Sequence, residues 1–146
     1  MTVALKPVTA DTLDSVIALT VAEGHRGFVA ANVYSLAQAA VMPEMIPRAI
    51  CVDGVPVGFV MYGFDATENA YCISRLMVDK AHQGKGYGKQ AMALVVADIR
   101  AQSPARPVVY ISFEPHNTAA RTLYERLGFV PDGREEDGET VYRLDL

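Results

Sequence analysis

The chain has no tryptophan, two cysteines and three histidines among its 146 residues. Cys51 and Cys72 lie inside the apolar runs Ala49-Ile50-Cys51-Val52 and Tyr71-Cys72-Ile73, where cysteine behaves as a small buried hydrophobe. Such a pair makes neither a disulfide framework nor a CxxC motif, so a reducing, cytoplasmic setting is expected. His25, His82 and His116 stand singly, without the i, i+4 or Cys/His spacing of a zinc site, and no metal is expected. No stretch reaches the ~18 uninterrupted apolar residues of a membrane span. Met1-Thr2-Val3-Ala4-Leu5-Lys6 also lacks the basic-then-apolar layout of a signal peptide, so the expectation is a soluble chain with no membrane partner. Charge is sparse, at 21% of residues against 51% hydrophobic, and the net charge of −4 disfavours non-specific binding to nucleic acid. That total is unevenly spread: residues 1–74 and 131–146 each sum to −4, whereas 75–130 sum to +4.

No linker, repeat or low-complexity tract interrupts the chain, which is expected to form one domain over 1–146. Residues 3–8 read as a first strand, and Thr9 is placed to cap a helix carrying Leu13, Val16, Ile17 and Leu19 at helical spacing. Asn32 is expected to cap a second helix over 32–40, with Pro43 and Pro47 ending it. Asp53-Gly54 suits a two-residue turn between strands 48–52 and 55–62. Strand 71–78, a glycine-rich segment, a helix over 88–101 and an almost wholly apolar strand over 108–113 follow. Asn117 then caps a helix to Leu127 that Gly128 ends, and 140–144 closes the chain as a strand after Asp137-Gly138. The order β α α β β β α β α β β combines hairpins with one β–α–β crossover. The expected fold class is α/β with a mixed sheet of about six to seven strands and about four helices packed on it.

The segment His82-Gln83-Gly84-Lys85-Gly86-Tyr87-Gly88-Lys89 joins a strand to a helix. Three glycines in five residues let backbone come close to a ligand. Their amides, the helix N-terminus and two lysines together suit an anion such as a phosphate; without a ligand the segment is only a flexible connection. Gly86-Tyr87-Gly88-Lys89-Gln90-Ala91 also fits the dinucleotide fingerprint, with Glu114 as ribose ligand. Its context does not fit, because Asp79 to Gln83 separate strand from glycines and too little chain follows for further parallel strands. A P-loop is excluded because no Gly-Lys-Ser/Thr follows the glycines.

Arg75-Leu76-Met77-Val78 followed by Gln83-Gly84-Lys85-Gly86-Tyr87-Gly88 resembles the strand and pyrophosphate loop of the GCN5-related N-acetyltransferases. A second signature, Asn117-x-x-Ala120-x-x-Leu123-Tyr124-x-x-x-Gly128-Phe129, is similar to the C-terminal segment of that family. Within the family, the segments 28–36, 57–63 and 112–117 look most like bacterial diamine and spermine/spermidine acetyltransferases. The resemblance implies an acetyl-CoA-dependent N-acetyltransferase acting by direct attack in a ternary complex, with a small-molecule amine, foremost a polyamine or diamine, as acceptor. Another amine (an amino acid, an aminoglycoside or a protein N-terminus) stays open, as does a non-catalytic acetyl-CoA-binding regulatory domain. Small acetyltransferases of this type often pair, which is consistent with a homodimer, although the sequence marks no interface.

By the same resemblance, Gln83, Gly84, Lys85, Gly86, Tyr87, Gly88 and Lys89 hold the pyrophosphate. Met77 and Val78 pair with the pantetheine arm as a short pseudo-strand, and an amide of that strand faces the thioester carbonyl. Asn117 bonds the pantetheine region and Tyr124 protonates the departing thiolate. Each also has a plainer role, Asn117 as a helix cap and Tyr124 as a core aromatic. Many relatives carry a glutamate before Leu-x-Val where this chain has Arg75, so that position supplies no carboxylate base, and the amine loses its proton to another carboxylate or, through water, to bulk. Glu114 is the first candidate, as catalytic base or substrate ligand, with Asp65 and Glu68 as alternatives. Glu23, Asn32, Tyr34 and Glu44, in the 23–44 region, are the candidates for selecting a cationic amine.

Overall fold

The computed structural model describes residues 2–22, 30–102 and 108–146. In chain order its elements are β1 (Val3–Lys6), α1 (Leu13–Ala18), α2 (Asn32–Val41), β2 (Met45–Val52), β3 (Val55–Asp65), β4 (Ala70–Val78), α3 (Tyr87–Gln102), β5 (Val108–Phe113), α4 (Thr118–Arg126), β6 (Val130–Glu136) and β7 (Glu139–Asp145). The strands form one sheet in the order β1-β2-β3-β4-β5-β7-β6. All neighbours are antiparallel except β4 and β5, which are parallel and joined through α3. This is the mixed sheet that the hairpins and single crossover require.

The sheet separates two apolar layers. On one face Ile73, Ile111, Phe113 and Tyr142 pack with Met92, Val95 and Ile99 of α3 and Tyr124 of α4. On the other, Phe59, Met61 and Met77 pack with Val16 of α1 and the partly buried Leu36 of α2. β3 is buried along most of its length because it lies inside the sheet under both layers. Gly58 lets β4 come this close: a Cβ there would lie 2.5 Å from the Met77 carbonyl oxygen.

Several local expectations are corrected. Strand β1 ends at Lys6, where Pro7, without an N–H, cannot extend the ladder. Thr9 does not cap α1; residues 9–12 form a turn in which the Thr9 amide donates to Thr12 Oγ1 (3.0 Å), and Thr12 precedes the helix. Asn32 is the first residue of α2 rather than its cap, which is Ala31. Its buried side-chain amide instead donates to the Val16 carbonyl of α1 (2.9 Å), joining the two helices. Pro43 follows the end of α2, but Pro47 lies inside β2 opposite Met61. A proline is tolerated there because β1 pairs with β2 only over residues 49–52. The Asp53-Gly54 turn forms with both residues at positive φ, 50° and 84°.

Candidate active site

The site is made by two parallel strands that part. β4 and β5 pair only at Tyr71↔Val109, Cys72↔Tyr110 and Ile73↔Ile111. Across β3, Met61 faces Arg75 and Tyr62 faces Ile73, so Ser74 is an extra residue and β4 bulges there. Beyond the bulge the strands diverge and leave a cleft of about 540 Å³. Ser74, Arg75, Met77 and Val78 line it from β4, Ser112 and Phe113 from β5, Tyr124 from α4 and Glu139 from β7. Gln83, Gly88 and Asn117 close its outer end.

At that end the loop is held in place from several directions. The Asp79 carboxylate accepts from the amides of Thr20 (2.9 Å) and Ala81 (3.1 Å), and the Lys80 amide donates to the Thr20 carbonyl (2.8 Å). The Gln83 side chain donates to the Val78 carbonyl (3.0 Å), fastening the loop to the strand. Gly84 and Gly86 then take positive φ, 79° and 81°, which turns the chain sharply into α3. The first amides of a helix have no intrahelical acceptor. Here they stand at the mouth of the cleft beside the exposed Lys85 and Lys89, while Tyr87 is buried beneath them. Those donors and cations match a pyrophosphate, and the open wall of β4 beyond them matches an extended arm.

Deeper in, Tyr124 is buried with its ring 5.3 Å from Phe113 and 6.0 Å from Phe129. Burial pushes its hydroxyl pKa well above the ordinary tyrosine value, and the negative charge of Glu139 adds to the rise. The group therefore keeps its proton at neutral pH and is a donor, not a base. Asn117 caps α4, its side-chain oxygen accepting from the Ala120 amide (3.1 Å), and it lines the cleft from that position.

Gln83, Gly88, Asn117, Tyr124, Met77 and Val78 thus share one cleft, and Gly84 to Tyr87 and Lys89 adjoin it. The remaining candidates are placed elsewhere. Glu114 follows β5 outside the lining, its carbonyl accepting from the Asn117 amide (2.9 Å). Asp65 ends β3 and accepts from the amides of Thr67 and Glu68; Glu68 pairs with Arg134 at 2.8 Å. Asn32 is buried between α1 and Met77, Tyr34 is 61% exposed on α2, and Glu44 is exposed before β2. Glu23 lies outside the described residues.

A carboxylate outside the sequence candidates, Glu139, does reach the cleft. Glu139 opens β7 and accepts from Ser112 Oγ at 3.0 Å. The alternation of strand 140–144 extended back by one residue would have placed it opposite the end of β5. Among the described residues there is no group of three or more His, Cys, Asp or Glu side chains that could hold a metal, and no helix is long and apolar enough to cross a membrane.

The family model described as acetyltransferase (GNAT) family matches residues 28–129, from before α2 to the end of the α4 signature. The chain belongs to that family. It is an acyltransferase, an acetyl-CoA-dependent N-acetyltransferase of GNAT type. Over full length it is 27% identical to a probable spermine N(1)-acetyltransferase of Bacillus subtilis subsp. natto (strain BEST195) and 26% identical to the spermine/spermidine N(1)-acetyltransferase of Bacillus subtilis (strain 168), with 100% of each chain covered. The crystal structure of PaiA N-acetyltransferase from Thermoplasma acidophilum in complex with coenzyme A superimposes with a TM-score of 0.71, covering 100% of both chains at 12% identity. That likeness is one of fold.

Proposed function

We propose that this GNAT acetyltransferase moves an acetyl group directly from acetyl-CoA to a primary amine of a small molecule, both held at once in the gap between β4 and β5. The observation that carries this is the placement of the protonated Tyr124 inside a cleft whose other end is the glycine loop at the start of α3. Acetyl-CoA supplies the acyl group as a thioester. The amides of residues 83–89 hold its pyrophosphate, and the wall of β4 after the bulge orders the arm that follows. Tyr124 Oη gives its proton to the departing sulfur. An alkylamine arrives as an ammonium, with a pKa near ~10.4, and must lose a proton first. Glu139 lines the cleft and stands nearer that task than Glu114, whose carbonyl is tied to the Asn117 turn.

The names of the two Bacillus relatives support a polyamine or diamine as acceptor, and Glu139 suits a cationic group. Arg75, a cation in the same wall, favours a second acceptor class, an amine that also carries an acidic group. Thiol release from acetyl-CoA over a panel of amines, with putrescine, spermidine, lysine and an aminoglycoside among them, tests transfer. Saturable release with at least one amine is expected. Binding of acetyl-CoA with no release from any amine would refute catalysis and leave a ligand-binding domain.

A further inference from the structure

Arg75 occupies an uncommon setting. Its Nη1 donates to the Ser74 carbonyl at 2.8 Å and its Nη2 to Oε1 of Gln38 on α2 at 3.2 Å. Its Nε is buried and is the one such side-chain atom without a hydrogen-bond partner among the described residues. Both protein acceptors are neutral, and no carboxylate lies within 4.0 Å among the described residues, whereas Arg134 has Glu68, Asp132 and Glu136 around it. A partly buried guanidinium with an unsatisfied N–H and no counter-charge is costly to keep. Its planar fork is suited to two parallel hydrogen bonds from one carboxylate.

Its position gives that uncompensated charge a direction. Bonded to Gln38, Arg75 projects to the α1/α2 face of the sheet. On β5, Ile111 and Phe113 belong to the opposite core, so Ser112 between them points to the same face as Arg75, and Ser112 holds Glu139. One guanidinium and one carboxylate therefore flank the gap on the face opposite Tyr124. A polycation meeting this wall would face Arg75 as a like charge. An amine carrying an acidic group would meet a complementary charge on each side.

We propose that the acceptor amine carries a carboxylate, as an amino acid does, and that Arg75 anchors this carboxylate while Glu139 faces the ammonium. This rests on the gap being the point of transfer. Ser74 and Gln38 hold the guanidinium in advance of binding, so little side-chain freedom is lost when the acid arrives.

Matched acceptors test the idea. Ornithine and lysine differ from putrescine and cadaverine only by the added carboxylate. The expected result is a kcat/KM at least tenfold higher for the acid-bearing member of each pair. Arg75→Ala and Arg75→Glu should shift that ratio at least tenfold toward the diamine, through the acceptor KM, with the KM for acetyl-CoA unchanged, and Arg75→Lys should recover part of the preference. Diamine preference in the unaltered protein, or an equal loss for both members in every variant, would overturn the proposal. Calorimetric binding of Nα-acetyl-lysine to the protein and to Arg75→Lys and Arg75→Ala gives a readout free of turnover. Binding that weakens in that order with no amine turned over would uphold the anchor and refute the transfer reading. No binding to the unaltered protein would refute the anchor itself.

Discussion

Tyr124→Phe removes one oxygen and leaves the ring. The ring's contacts with Phe113 at 5.3 Å and Phe129 at 6.0 Å stay, and no hydrogen bond to the hydroxyl is lost among the described residues. Folding stability should therefore change by less than about 1 kcal/mol. Turnover should not be spared. If the hydroxyl protonates the leaving sulfur, its loss removes a positioned general acid, which contributes about 10²- to 10⁴-fold to a rate, or about 2.7–5.4 kcal/mol of barrier. Burial and Glu139 both raise the hydroxyl's pKa above the ordinary tyrosine range. The acid thus stays protonated through the neutral range, and its own titration adds no loss of rate at low pH. Single-turnover thiol release reads the chemical step directly, and thermal unfolding with acetyl-CoA titration shows that fold and cofactor affinity are kept. A Tyr124→Phe variant whose single-turnover rate stays within about threefold of the unaltered protein would refute the assignment and leave Tyr124 as a core aromatic.

Gly84→Ala places a side chain at φ +79°, where space is open but the backbone costs about 1–2 kcal/mol; loop geometry should suffer, seen as a raised KM for acetyl-CoA and a lower Tm. Gly88→Ala, in the first turn of α3, meets Leu123 Cδ2 at 3.6 Å and Val78 Cγ2 at 3.7 Å, ordinary contacts, and should change stability by less than about 1 kcal/mol in the same unfolding assay. Glu139→Gln keeps a partner for Ser112 Oγ but removes the charge, and is expected to lower kcat/KM for the amine at least tenfold without changing the KM for acetyl-CoA. Burial, then Asp65, Glu68 and Glu136, push the Cys72 thiol up to about 12. It should react with a disulfide reagent at pH 8 far more slowly in the folded than in the guanidinium-unfolded protein. Because the folded pKa is the higher one, this thiol's contribution to stability is whole below the ordinary thiol pKa and is lost as pH climbs toward 12.

What could be read from sequence was what neighbours along the chain decide. Asn117 caps α4, Gly128 leaves it at φ 97°, and Asp53-Gly54 turns a hairpin, because each depends on a few adjacent residues. The same holds for the turn through loop 83–89, where Gly84 and Gly86 at positive φ lead into α3 within one short run. Asn32 misled because a good cap residue is also a good buried donor, and its partner, the Val16 carbonyl, is 16 residues away. Glu139 was hidden for a like reason: its value comes from Ser112, 27 residues earlier and on a strand that pairs with β7 only in the finished sheet.

That contrast divides the site by function. In the proposed reading, everything that meets the cofactor's pyrophosphate comes from one loop and the helix it opens, within the segment 75–130 that carries the chain's +4 charge. The proposed acceptor side is built differently, from the bulge on β4, the end of β5 and the start of β7, side chains brought together only by the parting of two strands. A change of the Arg75 or Glu139 side chain leaves in place the loop and the β4 backbone proposed to order the arm. One cofactor mouth can thus be kept while single substitutions across the gap choose among amines. For this reason the proposed identity of the acceptor is read from the guanidinium and carboxylate on the lips of the cleft and not from the glycine motif that marks the family.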